Sequence, residues 1–476
     1  MRFTRLIPFL VLAAGCGDNG TNNPGRTDAR PTVDSGEDED APPDGPPGSA
    51  GRVWVVGDFL TDNTRQVGSF SPDATLPISA AMPPPAVFPA SGRVSSNSEF
   101  QAHTNGTKIA YVADATVAGR FDLYVAAADG SNPVLVVEGA TPLPPPAPAP
   151  LIDITAVVLS PDGSKVAFTR DSLVNNGYDL WLAPTTAAAV PVMVSARTGL
   201  DDSQDVFLTS FTWSADSKYL GFAGDTGTSG KNQPFVVDTT LPVPVGVAFL
   251  PVGDITGTGT GVNGAVVFDA QNNVYFRAAV TGPDFELFTA PAADPTPAAR
   301  VKITLPGRTD ATVPDVDYFG ITPDGTKLVY SADAPVADAY NLYVATTAAP
   351  NTSTKITDQT TPGTVSGENR AQLWFSPDNT KVAVVGTWMA AAFDEPFVVH
   401  LDGSATRRLA TIACSNCDVN ILQWDPDGTT IWAMGDIRVG NDTEVYKLDS
   451  TMADQVPTLA VDPPDGGDVF NMFVRP

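Results

Sequence analysis

The sequence predicts an all-β chain built from one repeated four-stranded unit. Three observations carry that expectation. A short motif recurs at a nearly fixed period, each copy reads as a tight hairpin, and the last residues look like the strand missing from the first unit.

The motif is clearest in Leu159-Ser-Pro-Asp-Gly-Ser-Lys-Val-Ala-Phe168, Ile321-Thr-Pro-Asp-Gly-Thr-Lys-Leu-Val-Tyr330 and Phe375-Ser-Pro-Asp-Asn-Thr-Lys-Val-Ala-Val384. Weaker copies begin at Trp213, Trp424 and Ala102, and a degenerate one runs from Phe268 to Phe276. Their turn positions are Asn105, Asp162, Asp216, Ala270, Asp324, Asp378 and Asp427, spaced by 57, 54, 54, 54, 54 and 49 residues. Repetition at such a period marks a repeat architecture.

Each copy makes physical sense as a hairpin. Pro presets φ at the first central position, Asp tolerates the second, and Gly or Asn takes the left-handed residue. The flanks read as strands. A third strand follows in most units, as in Asp122-Leu-Tyr-Val125, Asp179-Leu-Trp-Leu182 and Asn341-Leu-Tyr-Val344. A short apolar fourth follows, as in Pro133 to Val137. Four antiparallel strands repeated radially make a propeller blade.

At the N-terminal end of the repeats, Arg52 to Asp58 and Gln66 to Phe70 match second and third strands with no inner strand before them. Val469 to Pro476 reads as an inner strand that stops before its turn. The expectation is an eight-bladed β-propeller over residues 51–476, closed by pairing of the C-terminal strand with the N-terminal blade. Seven blades is the alternative if the unit at Phe268 is a loop.

The segments before Arg52 read differently. Arg2 and Arg5 precede a short apolar run, which ends in Leu12-Ala13-Ala14-Gly15-Cys16. A positive start, a brief apolar stretch and small residues before a cut site make a secretory signal over residues 1–15. The run is too short to span a bilayer. Small residues before a Cys resemble the bacterial lipobox, which implies lipidation of Cys16 and a stable acyl anchor. Residues 16–50, with Glu37-Asp38-Glu39-Asp40, contain almost no large apolar side chains. They cannot bury enough surface to offset ordering entropy, so they read as a disordered tether.

The motif Ser-Pro-Asp-Gly-x-Lys followed by an apolar residue, Ala and Phe, then Asp-Leu-Tyr-Val, resembles the TolB-like (WD40-like) propeller repeat. It is also similar to the propeller that precedes the hydrolase domain of dipeptidyl-peptidase-like enzymes. The resemblance covers Arg52 to Pro476 and implies binding of proteins, peptides or glycans through a propeller face. TolB itself carries a separate N-terminal domain with no counterpart in this sequence, so a role in the Tol–Pal system does not carry over.

Composition excludes some functions. The formal net charge is −27, with 54 Asp and Glu against 27 Lys and Arg. Nucleic-acid binding needs clustered cations, and none is present. No Gly-x-Ser-x-Gly elbow occurs, and no hydrolase domain fits after the repeats. Only His103 and His400 are present, expected at the surface and about five blades apart. No metal site and no cofactor is expected.

Three further features stand out. Cys414-Ser-Asn-Cys417 lies between strand-like flanks and lacks the two further ligands of a zinc site. In an oxidising compartment it reads as a small disulfide. Asp58, Asp114, Asp171, Asp225, Asp333 and Asp436 recur at the end of the second strand. Capping of the strand end by an Asx-type bond is one reading of these residues; an acidic ring facing a cation or a basic ligand is the other. Gly253 to Gly264 is Gly-rich without the Lys of a phosphate loop, and reads as a flexible connection between blades.

Together these features predict a monomeric, lipid-anchored binding or scaffold module of the bacterial cell envelope, at the outer membrane, with a protein, peptide or glycan ligand. The alternative is a carboxylate-based hydrolase or lyase acting on glycans through paired Asp or Glu on a propeller face. The Ser172–Gly177, Gly139–Pro150 and Gly253–Gly264 insertions are expected to crowd the face opposite the tight turns.

Overall fold

The computed structural model describes residues 52–475, apart from 58–65, 73–77, 80–101, 114–120, 140–153, 196–204, 308–312, 359–372, 387–394, 413–416, 438–442, 463–468 and a few gaps of one or two residues. The signal segment, Cys16 and the tether lie outside the described residues.

The described strands form eight sheets. Sheet 1 places Arg52–Gly57 between Gln66–Phe70 and Val469–Arg475. Sheet 2 comprises Ala102–Thr104, Lys108–Ala113, Asp122–Ala127 and Val134–Val137. Sheet 3 comprises Ile154–Leu159, Lys165–Val174, Gly177–Pro184 and Val192–Met193. Sheet 4 comprises Thr212–Trp213, Tyr219–Gly224, Gln233–Asp238 and Val247–Ala248.

The degenerate unit at Phe268 forms a sheet of its own. In sheet 5, Asn273–Ala279 pairs with Glu286–Pro291, with Val267–Phe268 and with Gly261–Val262, and Val301–Lys302 lies outermost. Sheet 6 comprises Val316–Ile321, Lys327–Ala332, Asn341–Thr346 and Ala349–Lys355. Sheet 7 comprises Trp374–Phe375, Lys381–Gly386, Glu395–His400 and Thr406–Arg408. Sheet 8 comprises Val419–Trp424, Thr430–Gly435, Glu444–Asp449 and Thr458–Asp462, and Ile78–Ser79 adds to its outer edge in parallel.

The repeat motif accounts for the packing. Its two aromatic positions, one on the second strand and one on the third, are cross-strand neighbours. Tyr111 stacks on Tyr124 at 5.6 Å, Phe222 on Phe235 at 4.8 Å, and Tyr330 on Tyr343 at 5.4 Å between ring centroids. Offset aromatic pairs of this kind add to the area they bury. The left-handed residue of the hairpin is Gly106, Gly163, Ser217, Asn272, Gly325, Asn379 or Gly428, each at positive φ. Sequence expects Gly or Asn there, and Ser217 is the exception.

Buried side chains gather between the sheets. Each consecutive pair of sheets shares an apolar cluster, such as Val166 and Phe168 with Val112 and Leu123 between sheets 2 and 3. The series ends where it began: Trp432 and Val445 of sheet 8 pack on Val53 and Met472 of sheet 1. The C-terminal strand pairs antiparallel with the N-terminal one, Val55 opposite Met472. The fold is therefore an all-β propeller closed through its two terminal strands.

Two expected loops are ordered differently. Ser172 to Gly177 is not a free loop. The second and third strands of sheet 3 extend through it to the Val174–Gly177 pair, with a bulge before Asp179. The apolar Leu173 and Val174 continue the strand. Gly253 to Gly264 is pinned rather than flexible. It holds a 3-10 turn at Val252–Asp254, and Asn232 of sheet 4 bridges to Gly261. A Cβ on Gly261 would lie 2.0 Å from the Asn232 carbonyl oxygen, so this glycine allows the close approach. Of the Gly139 to Pro150 insertion, only Gly139 is described.

Candidate functional site

Successive hairpin turns alternate between the two ends of an antiparallel sheet. The tight first-to-second turns therefore share one face with the third-to-fourth turns. The second-to-third and sheet-to-sheet connections share the other.

The tight-turn face is closed by one repeated device. Within a turn, Ser160 Oγ donates to Asp162 Oδ1 at 2.6 Å, and the Ser164 amide donates to the same oxygen at 3.0 Å. Burial opposes ionisation of Asp162, but the hydrogen bonds from Ser160, Ser164 and Ser217 outweigh it and hold the carboxyl at about 2. Between turns, Lys108 Nζ donates to the Gly163 carbonyl at 2.8 Å and Lys327 Nζ to the Asn379 carbonyl at 2.7 Å. The Asp162 amide donates to Ser217 Oγ at 3.0 Å, and Asn272 Nδ2 to Asp216 Oδ2 at 2.9 Å. Each link joins one sheet to the next. The motif Lys and Asp thus serve the ring itself.

On the opposite face, the recurrent carboxylates are also engaged. Asp225, Asp333 and Asp436 are 7%, 2% and 7% exposed, so little of any of them faces solvent. Asp225 Oδ1 accepts the Asp205 amide and its Oδ2 the Gly230 amide, both at 2.7 Å. Asp333 repeats the pattern with the amides of Asp315 at 2.7 Å and Asp338 at 3.4 Å. In both, the carboxylate ties the end of the second strand to the entry of the inner strand, as a strand-end cap does. Asp171 lies in the second strand of sheet 3, and Asp58 and Asp114 lie outside the described residues.

Sequence reasoning missed the residues those caps hold. Asp205 Oδ1 accepts the Tyr178 amide of sheet 3 at 2.8 Å, and Asp315 Oδ1 accepts the Phe285 amide of sheet 5 at 2.7 Å. Each Asp thus clasps the preceding sheet. The signal was an Asp-Val pair ahead of the inner strand, as in Asp205-Val206 and Asp315-Val316. Burial raises the Asp315 carboxyl to about 6, against the lowering effects of the Phe285 amide, the Tyr340 hydroxyl at 3.1 Å and Arg277; nearby Asp333 raises it further. Arg277 donates to the Val316 carbonyl at 2.8 Å and lies 3.8 Å from Asp317.

A second polar series marks the start of the third strands. Asp122 accepts the Gly139 amide at 2.9 Å, Asp179 accepts Ser195 Oγ at 2.9 Å, and Arg408 donates to Glu395 at 3.2 Å. The first residue of the Asp-Leu-Tyr-Val motif therefore fastens the third strand to the fourth.

His103 is not a turn residue, whereas His400 ends the third strand of sheet 7, as its sequence position predicts; both are half-buried rather than freely exposed. His103 is half-buried on the inner strand of sheet 2, where Nδ1 accepts the Leu159 amide of sheet 3 at 3.1 Å. His400 is half-buried on sheet 7, with Nδ1 3.4 Å from Ser404 Oγ. Among the described residues no group of three or more His, Cys, Asp or Glu is placed to hold a metal ion. Cys417 is disulfide-bonded and 3% exposed between sheets 7 and 8; Cys414 lies outside the described residues. An open groove of about 730 Å³ runs along Pro133 to Glu138, with Arg170 and Ala187 to Ala189 opposite. None of the Asp carboxylates described above lines it. Among the described residues no helix is long and apolar enough to cross a membrane.

No family model matches the sequence, and no curated protein matches it. Solved structures do. A prolyl endopeptidase structure is similar at a TM-score of 0.51 and 12% identity, over 78% of this chain and 50% of that one. The β-propeller domain of the trilobed protease of Pyrococcus furiosus is similar at 0.44 and 12%, over 77% and 98%. A TolB from Agrobacterium tumefaciens is similar at 0.34 and 16%, over 56% and 90%. At these identities the likeness speaks for the fold alone: the structural neighbours of this chain include TolB and other β-propeller proteins.

Proposed function

We propose that the eight sheets are eight blades of a lipid-anchored propeller of the bacterial cell envelope. In this reading the propeller is a binding or scaffold module, and its ligand is a protein, peptide or glycan. Cys16 carries the anchor, residues 16–50 are the tether, and Cys414 pairs with Cys417 beside the binding face.

One observation carries the choice of face. On the tight-turn face, neighbouring sheets are joined by near-identical bonds, as at Lys108–Gly163 and Lys327–Asn379. The connections that differ from sheet to sheet, including Gly253 to Gly264, lie on the other. Variable connections on a rigid scaffold are where binding usually resides. Binding is favoured over a carboxylate-based reaction because Asp315 and Asp333 are bonded to backbone amides and, for Asp315, to Tyr340.

The test compares two variants of the full chain in pull-downs from detergent-solubilised native envelopes. One replaces Gly139–Pro150 with a short turn; the other alters Asp402 and Ser404 on the tight-turn face. The reading expects partner recovery to fall only for the first, with both variants folded. Loss only for the second would place binding on the wrong side.

A further inference from the structure

The outer rims of sheets 3 and 4 differ from those of sheets 5, 6 and 7. The fourth strands of sheets 5, 6 and 7 carry Lys302, Lys355, and Arg407 with Arg408. Such charges are the usual protection of an edge strand. From Thr185 to Ser195, and again from Thr239 to Gly253, there is no charged residue at all. These two stretches form the rims of adjacent sheets, joined where the Gly246 amide donates to the Val194 carbonyl at 2.8 Å.

Their exposed side chains are aliphatic. Val190 is 82% exposed, Val243 71% and Leu241 52%, and Val192, Val245 and Val247 are each more than 40% exposed. Exposure alternates along the segment, with Val243, Val245 and Val247 outward while Pro244 and Gly246 are buried. Three outward valines on one rim stand beside two on the next. Together they present roughly 500 Å² of apolar side chain, at the upper end of what a monomer's largest patch exposes.

We propose that this rim is a self-association face, on which a second copy of the chain docks about a two-fold axis. Charge selects that occupant. At a net charge of −27, most contacts between two copies bring acidic surfaces together, and the cost of that repulsion is set by distance and screening. A face without charge escapes it. An isologous contact also needs only one self-complementary patch. Doubling the patch buries about 1,000 Å², near the lower limit for a specific interface, so the dimer is weak. Strand addition is disfavoured because Pro191, Pro242 and Pro244 remove amide donors. A lipid surface is disfavoured because the exposed set lacks the Trp, Tyr, Lys and Arg typical of membrane-interface faces. On this proposal the chain self-associates weakly, where the sequence reading expects a monomer.

Sedimentation velocity of the full chain carrying Cys16→Ser, from about 10 μM to about 500 μM, tests the proposal over the range of a weak interface. The expected result is a weight-average sedimentation coefficient that climbs from monomer towards dimer, and climbs further at higher salt. The Val190→Asp/Val243→Asp variant should stay monomeric throughout with an unchanged melting temperature. Wild-type protein that remains monomeric overturns the proposal, and so does a dimer that survives the double substitution. Monomeric protein that floats with phosphatidylcholine vesicles only when both valines are present also overturns it, and assigns the face to lipid.

Discussion

Lys108 Nζ lies 2.8 Å from the Gly163 carbonyl oxygen of the next sheet and 2.9 Å from Thr185 Oγ1 of that same sheet. The lysine of the repeat motif is therefore a link between sheets rather than a free surface cation. Hydrogen bonds to charged groups are worth about 1.5–3 kcal/mol. Partial exposure reduces that here. Lys108→Met should lower stability by about 1 kcal/mol and leave the fold intact, read by chemical denaturation against wild type. Lys327→Met should do the same through its bond to the Asn379 carbonyl.

Asp225 and Asp333 make a different prediction. Each accepts two backbone amides with little exposure, so Asp225→Ala should leave buried donors unsatisfied and cost about 1–3 kcal/mol. The same residues distinguish a cap from a cation site. Adding millimolar calcium should leave the melting temperature of wild-type protein unchanged. A calcium-dependent rise that disappears in Asp333→Asn would restore the acidic ring as a ligand site.

The carboxyl of Asp315 gives a pH dependence. Its folded value is raised to about 6, against about 3.9 for an unperturbed Asp. The folded state therefore holds the proton more tightly than the unfolded chain. The stabilisation this confers is complete below about pH 4 and is lost as pH rises through about 6. Asp315→Asn removes the titration. The stability difference, wild type minus variant, should fall by up to about 2 kcal/mol between pH 4 and pH 7. A flat difference across that window would contradict burial of the group.

The anchor is tested separately. Cys16→Ser should move the protein from the membrane fraction to the soluble fraction without changing its melting transition, since the proposed anchor is joined to the propeller only through a tether with almost no large apolar side chains. Retention in membranes after a salt wash would remove the lipid anchor from the account.

Much of the fold was legible because the repeat encodes its own turn. Pro161, Asp162 and Gly163 specify a hairpin locally, and the near-regular step of 49 to 57 residues then places sheets 2 to 8. The closing strand was legible because Val469 to Arg475 is rich in strand-forming apolar residues and matches an inner strand that stops before its turn. The site was less legible. His103 looked like a turn residue because its hairpin is two residues shorter than the Pro-Asp-Gly hairpins, with Thr104 opposite Ile109 where Leu159 is opposite Val166, which hides its place on the inner strand. Asp205 and Asp315 were missed because their partners are backbone amides of the preceding sheet, which leave no side-chain signature. Gly253 to Gly264 looked flexible because composition does not reveal that Asn232 and Val280 pin it.

Ring closure is the central claim, and removal of Val469 to Pro476 tests it most directly. Val469, Met472 and Val474 are buried against sheet 8, and the strand pairs with Arg52–Gly57 along its length. Each buried side chain is worth about 1.5–3 kcal/mol, and its loss also exposes an unpaired edge. Thermal unfolding of the truncated full-length chain, followed by circular dichroism, should show a melting temperature lowered by more than about 10 °C or no cooperative transition at all. A cooperative transition at the wild-type temperature would contradict closure through the terminal strands.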